Sequence, residues 1–167
     1  MALQENSILS HDQILHKIKR IAYQVYECNV NEKEVIIAGI GNNGFIFAKK
    51  LKTVLEEISS INPTLCQVII DKKHPQNPIT TSIPEEDYKN KSVILVDDVL
   101  NSGTTLIYSV KHFLNVPLKQ FKTAVLINRN HKKYPVKADF KGISLSTSLN
   151  HHVEVLLKGK KLAAYLE

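Results

Sequence analysis

The chain alternates between helically spaced apolar positions and short unbroken apolar runs. Behind Ser10, a residue suited to cap a helix, Ile14, Leu15, Ile18, Ile21, Ala22, Val25 and Tyr26 share one helical face, with Lys17, Lys19 and Arg20 elsewhere on the surface. Residues 35–40 form a continuous apolar run, the pattern of a strand covered on both faces. A tight glycine turn over residues 41–44 follows, and residues 45–58 read as a helix. Pro63 ends the connection before a second strand over 65–70. Residues 71–90 carry Pro75, Pro78 and Pro84 among polar side chains without periodicity, so they read as a long loop of the kind compact proteins keep chiefly for function. A third strand is expected over 92–96, a helix over 104–115 and a fourth strand over 121–127. Beyond Arg129 the pattern is irregular until residues 153–157 and 162–166, joined by 158–161, predict a hairpin. Strands alternating with helices predict an α/β fold, a parallel-cored sheet flanked by helices, with ligands at the carboxyl ends of the strands. No repeat, low-complexity tract or composition break divides the 167 residues, which read as a single domain.

Composition narrows the function classes. At 43% hydrophobic and 23% charged the chain is expected to bury a proper core. No apolar run approaches the roughly 18 residues of a membrane span, and MALQENSILS lacks the basic start and apolar stretch of a signal peptide. Cys28 and Cys66 have neither metal-ligand nor redox spacing, so a cytoplasmic location is expected, with both thiols as buried fillers. The formal charge is +6, yet among 22 basic residues only Arg20 and Arg129 are arginine. That excess favours an anionic ligand without choosing between phosphate and RNA. Seven histidines include the neighbours His151 and His152, whose side chains would diverge on a strand, and no metal site is read from them.

Two glycine-containing turns carry the candidate chemistry. Gly39-Ile40-Gly41-Asn42-Asn43-Gly44 matches G-x-G-x-x-G between a strand and a helix, the pattern of a dinucleotide site, with Asp71 ending the next strand. The same turn serves any protein that brings backbone N–H groups up to an anion. The second is Val93-Ile94-Leu95-Val96-Asp97-Asp98-Val99-Leu100-Asn101-Ser102-Gly103-Thr104-Thr105. Four buried strand residues lead to two adjacent carboxylates, whose mutual repulsion no packing demand explains. The small residues beyond offer backbone amides, hydroxyls and a helix N-terminus to a phosphate. Together the halves describe a site for a phosphorylated sugar, with Asp97 and Asp98 accepting from ribose hydroxyls.

This thirteen-residue run resembles the phosphoribosyl-pyrophosphate (PRPP) motif of the type I phosphoribosyltransferases. Residues 8–29, 38–51 and 93–157 are similar to the bifunctional pyrimidine-operon regulators with uracil phosphoribosyltransferase activity, including Asn128-Arg129-Asn130-His131, Tyr134-Pro135 and Ala138-Asp139-Phe140. The resemblance implies the type I phosphoribosyltransferase fold with a small irregular hood built from late segments. It also implies transfer of ribose 5-phosphate from PRPP to a pyrimidine base, uracil giving UMP and pyrophosphate, with Mg²⁺ held mainly by PRPP. Asp97 and Asp98 would then anchor the ribose. Leu100, Asn101, Ser102, Gly103, Thr104 and Thr105 would grip the 5′-phosphate, and Gly41, Asn42, Asn43 and Gly44 would form the pyrophosphate loop. The base would lie near Asn128, Arg129, His131 and Ser148. Asp139 and Phe140 are expected to close the core near the site.

The resemblance has gaps on the pyrophosphate side. These regulators usually carry a lysine and an arginine in the pyrophosphate loop, where this chain has Gly41 and Asn43. Their loop after the second strand carries a tyrosine and an arginine, where this chain has Asp71-Lys72-Lys73-His74-Pro75-Gln76. Lys72 and Lys73 offer point charges without the bidentate fork of a guanidinium. The alternative reading is therefore a PRPP- or nucleotide-binding regulator with little or no catalysis. RNA is its further partner, through a basic surface of Lys17, Lys19, Arg20, His131, Lys132, Lys133, Lys137 and Lys141. A homodimer or higher homo-oligomer is the assembly the resemblance implies.

Overall fold

The computed structural model describes residues 6–146 and 151–167. Its elements run β1 (Ser7–Leu9), α1 (His11–Glu27), β2 (Glu34–Ile40), α2 (Gly41–Ile58), β3 (Asn62–Ile69), β4 (Thr80–Thr81), α3 (Glu85–Tyr88), β5 (Ser92–Leu100), α4 (Thr104–Phe113), β6 (Gln120–Arg129), β7 (Phe140–Leu145), β8 (Val153–Leu156) and β9 (Ala163–Leu166). Six strands form the main sheet in the order β4-β3-β2-β5-β6-β7, parallel except where β4 meets β3. A second sheet, antiparallel and ordered β1-β9-β8, stands apart.

Alternation along the central strands sorts their side chains to two cores. Val35 and Ile37 of β2, with Ile94 and Val96 of β5, face α1, α2 and the small sheet. Ile36, Ala38, Val93 and Leu95 face the opposite side, with Leu106 and Phe113 of α4. Each fully buried Ile, Leu or Phe contributes about 1.5–3 kcal/mol, so the buried runs decide the fold. Helix α1 begins with a full capping box, in which Ser10 Oγ accepts from Gln13 N and Gln13 Oε1 accepts from Ser10 N. Arg20 on this helix donates to the carbonyl oxygens of Lys141 and Gly142, at 3.0 and 2.7 Å, so it fastens α1 to β7.

Several elements differ from the sequence expectation, each for a physical reason. Pro63 lies inside β3 opposite Val35, because β4 covers the far edge of β3 only at Val68 and Ile69 and no ladder bond is lost there. The 71–90 segment contains β4 and the single-turn α3, whose Tyr88 packs on Phe113 with ring centroids 4.9 Å apart. Strand β5 continues through the acids to Leu100, and β7 pairs parallel with β6 where no strand was expected. The hood is a regular three-stranded sheet rather than an irregular late segment, since the early strand β1 joins it and buries Leu9. Asp139 Oδ2 accepts from the N–H of Thr123 near the amino end of β6, so it braces the end of the sheet away from the cleft. Cys28 is half-buried and Cys66 buried, and burial pushes both thiols above their ordinary pKa. Among the described residues no helix is long and apolar enough to cross a membrane.

Candidate active site

The chain leaves β2 through α2 towards β3 on one side, while β5 lies on the other side of β2. A crevice opens between the carboxyl ends of such strands. The three glycines of G-x-G-x-x-G each meet a separate demand there. A Cβ on Gly39 would come within 2.5 Å of the Gly44 carbonyl oxygen and the Phe45 Cα, so its absence lets α2 start directly against β2. Gly41 has φ +64° and reverses the chain by itself. The expected turn over 41–44 is therefore the first turn of α2, holding Gly41, Asn42, Asn43 and Gly44. A Cβ on Gly44 would stand 3.2 Å from Asp97 Oδ1, so this glycine allows the helix to approach the β5 acids. Ile40 at the cap position gives no side-chain hydrogen bond, which leaves the N-terminal amides of α2 open to an anion.

The two carboxylates sit at successive positions of β5 and face different surroundings. Asp97 is 6% exposed, and its Oδ1 accepts from the Asp98 N–H at 2.9 Å. Burial, then the adjacent Asp98 carboxylate, pushes Asp97 well above the usual carboxylate range, while Lys72 pulls it back. Asp98 is half-buried and well partnered: Asn43 Nδ2 donates to its Oδ2 at 3.0 Å and the Val99 N–H to its Oδ1 at 2.9 Å. Asn43 also donates to the Val155 carbonyl oxygen at 3.2 Å, joining the first turn of α2 to the hood.

Leu100, Asn101, Ser102, Gly103, Thr104 and Thr105 line a hollow of about 170 Å³ together with Asp97 and Lys72. Gly103, at φ +87°, caps α4 without a side chain, and a Cβ there would meet Val136 Cγ1 at 2.6 Å. The Ser102 and Thr104 hydroxyls lie 2.9 Å apart, and the Ser102 carbonyl oxygen accepts from the Lys133 and Tyr134 N–H groups at 2.7 and 3.2 Å. The Thr104 N–H donates to Ser102 Oγ at 3.3 Å, so the loop is held both from behind and within itself while its residues line the hollow. Two larger hollows adjoin it. One of about 510 Å³ is bordered by Gly41, Asn42, Asn43, Asp97, Asp98 and two lysines, Lys72 and Lys158. The other, about 590 Å³, lies between Asp98 and Asn101 on one side and His152, Glu154 and Glu167 of the hood on the other.

Lys72 borders all three hollows. It is set there by Asp71, whose Oδ1 accepts from the Lys73 and His74 N–H groups at 3.0 and 3.2 Å, tightening the turn after β3. Asp71 is thereby a turn-former, and the acid expected of a dinucleotide site is engaged with its own loop. Asn128 is buried, and its Nδ2 donates to Ser144 Oγ at 3.2 Å. Arg129, also buried, donates to Asn101 Oδ1 at 3.1 Å and to the His151 carbonyl oxygen at 2.8 Å, so it ties the loop before α4 to the segment entering the hood. His131 is half-buried just beyond β6, and none of Asn128, Arg129 and His131 borders the three hollows. Ser148 lies outside the described residues.

Sequence reasoning missed Lys158, Glu154 and Glu167, whose places depend on how the hairpin docks. Tyr165 Oη donates to Glu154 Oε2 at 2.9 Å. Glu154 and Glu167 share a hydrogen bond that holds Glu154 below the ordinary glutamate range and pushes Glu167 above it. Among the described residues no group of three or more His, Cys, Asp or Glu side chains is arranged to cage a metal ion.

The sequence matches the phosphoribosyl transferase domain family over residues 4–157. It is 31% identical to the Bifunctional protein PyrR of Fusobacterium nucleatum over 167 residues, covering 95% of this chain and 94% of that one. It is 29% identical to the protein of that name from Macrococcus caseolyticus, covering 93% of each chain. The fold is shared with the hypoxanthine phosphoribosyltransferase of Trypanosoma cruzi, at a TM-score of 0.76 and 15% identity over 89% of this chain and 84% of that one. It is also shared with a hypoxanthine-guanine phosphoribosyltransferase from Bacillus anthracis, at a TM-score of 0.71 and 20% identity over 84% of this chain and 82% of that one.

Proposed function

The chain belongs to the phosphoribosyl transferase family, and from that membership we propose that it moves the ribose 5-phosphate of PRPP onto a pyrimidine base, with uracil giving UMP and pyrophosphate. The observation that carries this reading is that Asp97 lines one hollow with the start of α4, where Gly103 offers no capping side chain, while Asp98 borders the adjoining hollow with Asn101. The amides and hydroxyls from Asn101 to Thr105 hold the 5′-phosphate at the positive end of the helix. Asp98, oriented by Asn43, accepts from a ribose hydroxyl and favours the positive charge that develops on the ring as the C1′ bond breaks. Asp97 sits deeper and accepts from the Asp98 N–H, so it helps hold the pair in place. The departing pyrophosphate lies against the first turn of α2 and Lys72. Most of the acceleration then comes from positioning and electrostatics. Mg²⁺, held mainly by the phosphate oxygens of PRPP rather than by a dedicated protein cage, would neutralise the charge of the departing pyrophosphate.

The base occupies the hollow between Asp98 and the hood, where His152, Glu154 and Glu167 give the wall polar groups to meet a ring. Asn128 and Arg129 act here by positioning, the latter through Asn101 and the His151 carbonyl. A second reading, a PRPP- or nucleotide-sensing regulator that contacts RNA, is favoured by the uncharged first turn of α2, where Gly41 and Asn43 supply no cation to the pyrophosphate. Incubation with Mg-PRPP and, separately, uracil, cytosine, hypoxanthine and guanine, with nucleoside monophosphate and pyrophosphate measured together, tests both. UMP from uracil supports the transferase. A purine nucleotide as the main product overturns the choice of base, and PRPP binding without product supports the regulator.

A further inference from the structure

We propose that Lys158, on the hood hairpin, supplies the pyrophosphate-facing cation that the first turn of α2 lacks; this rests on the PRPP reading above. Lys158 borders the same hollow as Gly41, Asn43 and Asp98, and faces it from a different element than Lys72. Its root is firmly placed. Leu157 before it and Leu162 after the turn are both 2% exposed and belong to the core, and the Leu162 N–H donates to His11 Nδ1 at 3.0 Å. Gly159, at φ +81°, makes the reversal between them. The Asn43 bond to the Val155 carbonyl oxygen clamps this hairpin to the first turn of α2. Only the exposed outer part of the lysine is left to move, and it makes no ion pair among the described residues.

Charge balance gives the reason for a second lysine. The hollow is bordered by Asp97 and Asp98, with Lys72 and Lys158 as its cations. With both acids ionised the wall is neutral, and with Asp97 holding a proton it carries a single positive charge. Without Lys158 the same wall would be negative or neutral, an unfavourable surface for a pyrophosphate. A lysine suits this place, since its compact ammonium meets phosphate oxygens as a point charge from a flexible stem. The hood thereby acts in pyrophosphate recognition as well as lining the base hollow, and Lys158 discriminates PRPP from ligands that carry the 5′-phosphate alone.

The test compares wild type, Lys158→Met and Lys158→Arg by calorimetric titration with Mg-PRPP and with ribose 5-phosphate. Losing a charged contact to phosphate is expected to weaken PRPP binding about tenfold or more in Lys158→Met, with ribose 5-phosphate within about twofold of wild type and Lys158→Arg largely restored. PRPP affinity unchanged in Lys158→Met, or an equal loss for both ligands, overturns the assignment while leaving the site reading in place. Wild-type protein that binds neither ligand overturns the site reading, and this proposal with it.

Discussion

Replacing Arg129 by methionine should loosen the candidate site and the fold together. The side chain is buried, and its guanidinium joins Asn101 Oδ1 at 3.1 Å to the His151 carbonyl oxygen at 2.8 Å, bridging the loop before α4 and the segment entering the hood. Hydrogen bonds from a charged donor contribute about 1.5–3 kcal/mol each. Methionine keeps the length and avoids the desolvation of a guanidinium, which offsets part of that sum, so a net loss of about 2–4 kcal/mol is expected. For a chain of this size that corresponds to a melting temperature about 5–15 °C lower. Scanning calorimetry measures it directly, and ribose 5-phosphate titration should show weaker binding in the same variant, because Asn101 loses its anchor. Arg129→Lys should fall in between, since an ammonium cannot span both acceptors in the guanidinium's geometry. A double-mutant cycle with Asn101→Ala should return a coupling of about 0.5–3 kcal/mol. A melting temperature within about 1 °C of wild type, with unchanged ligand affinity, would refute the strut.

Two further substitutions probe the acids and the loop before α4. Asp97 is held above its ordinary pKa by burial and by Asp98, so the folded state binds that proton more tightly than the unfolded chain does. Its stabilising contribution is complete below the unfolded carboxylate value of about 3.9 and is lost as pH rises through the folded value. Asp97→Asn, neutral at every pH, should therefore melt higher than wild type at pH 8, with the difference closing towards pH 4; a wild-type advantage at pH 8 would contradict this. Gly103→Ala must place a Cβ at φ +87° and 2.6 Å from Val136 Cγ1. It should lose about 1–3 kcal/mol in denaturant unfolding and much of its ribose 5-phosphate affinity, and an unchanged unfolding midpoint would count against the tight loop.

How far the fold could be read from the residues depends on where each side chain ends up. The runs in β2 and β5 are apolar because both faces are covered, and Ser10 with Gln13 announces the start of α1. Strand β7 is half-exposed, with Lys141 and Gly142 breaking any run, so its pairing with β6 leaves little pattern in the chain. Asp97 and Asp98 look like strand terminators in the sequence, yet β5 runs on through them to Leu100 because they face a cleft instead of a core. The acid pair and the small residues after it form a local motif and could be read directly. Lys72 and Lys158 belong to two separate loops, and only the docking of the hairpin on α2 brings them to one hollow.

The most direct test of a phosphoribosyl site is titration of the protein with Mg-PRPP, in wild type and in Asp98→Asn, with thermal melts to establish that both are folded. Asp98 is held in place by Asn43 and the Val99 N–H and has the more exposed carboxylate of the pair. Saturable binding by wild type and at least about tenfold weaker binding by a folded Asp98→Asn is the expected result. Equal affinity in the two proteins, or no binding by wild type, would contradict it.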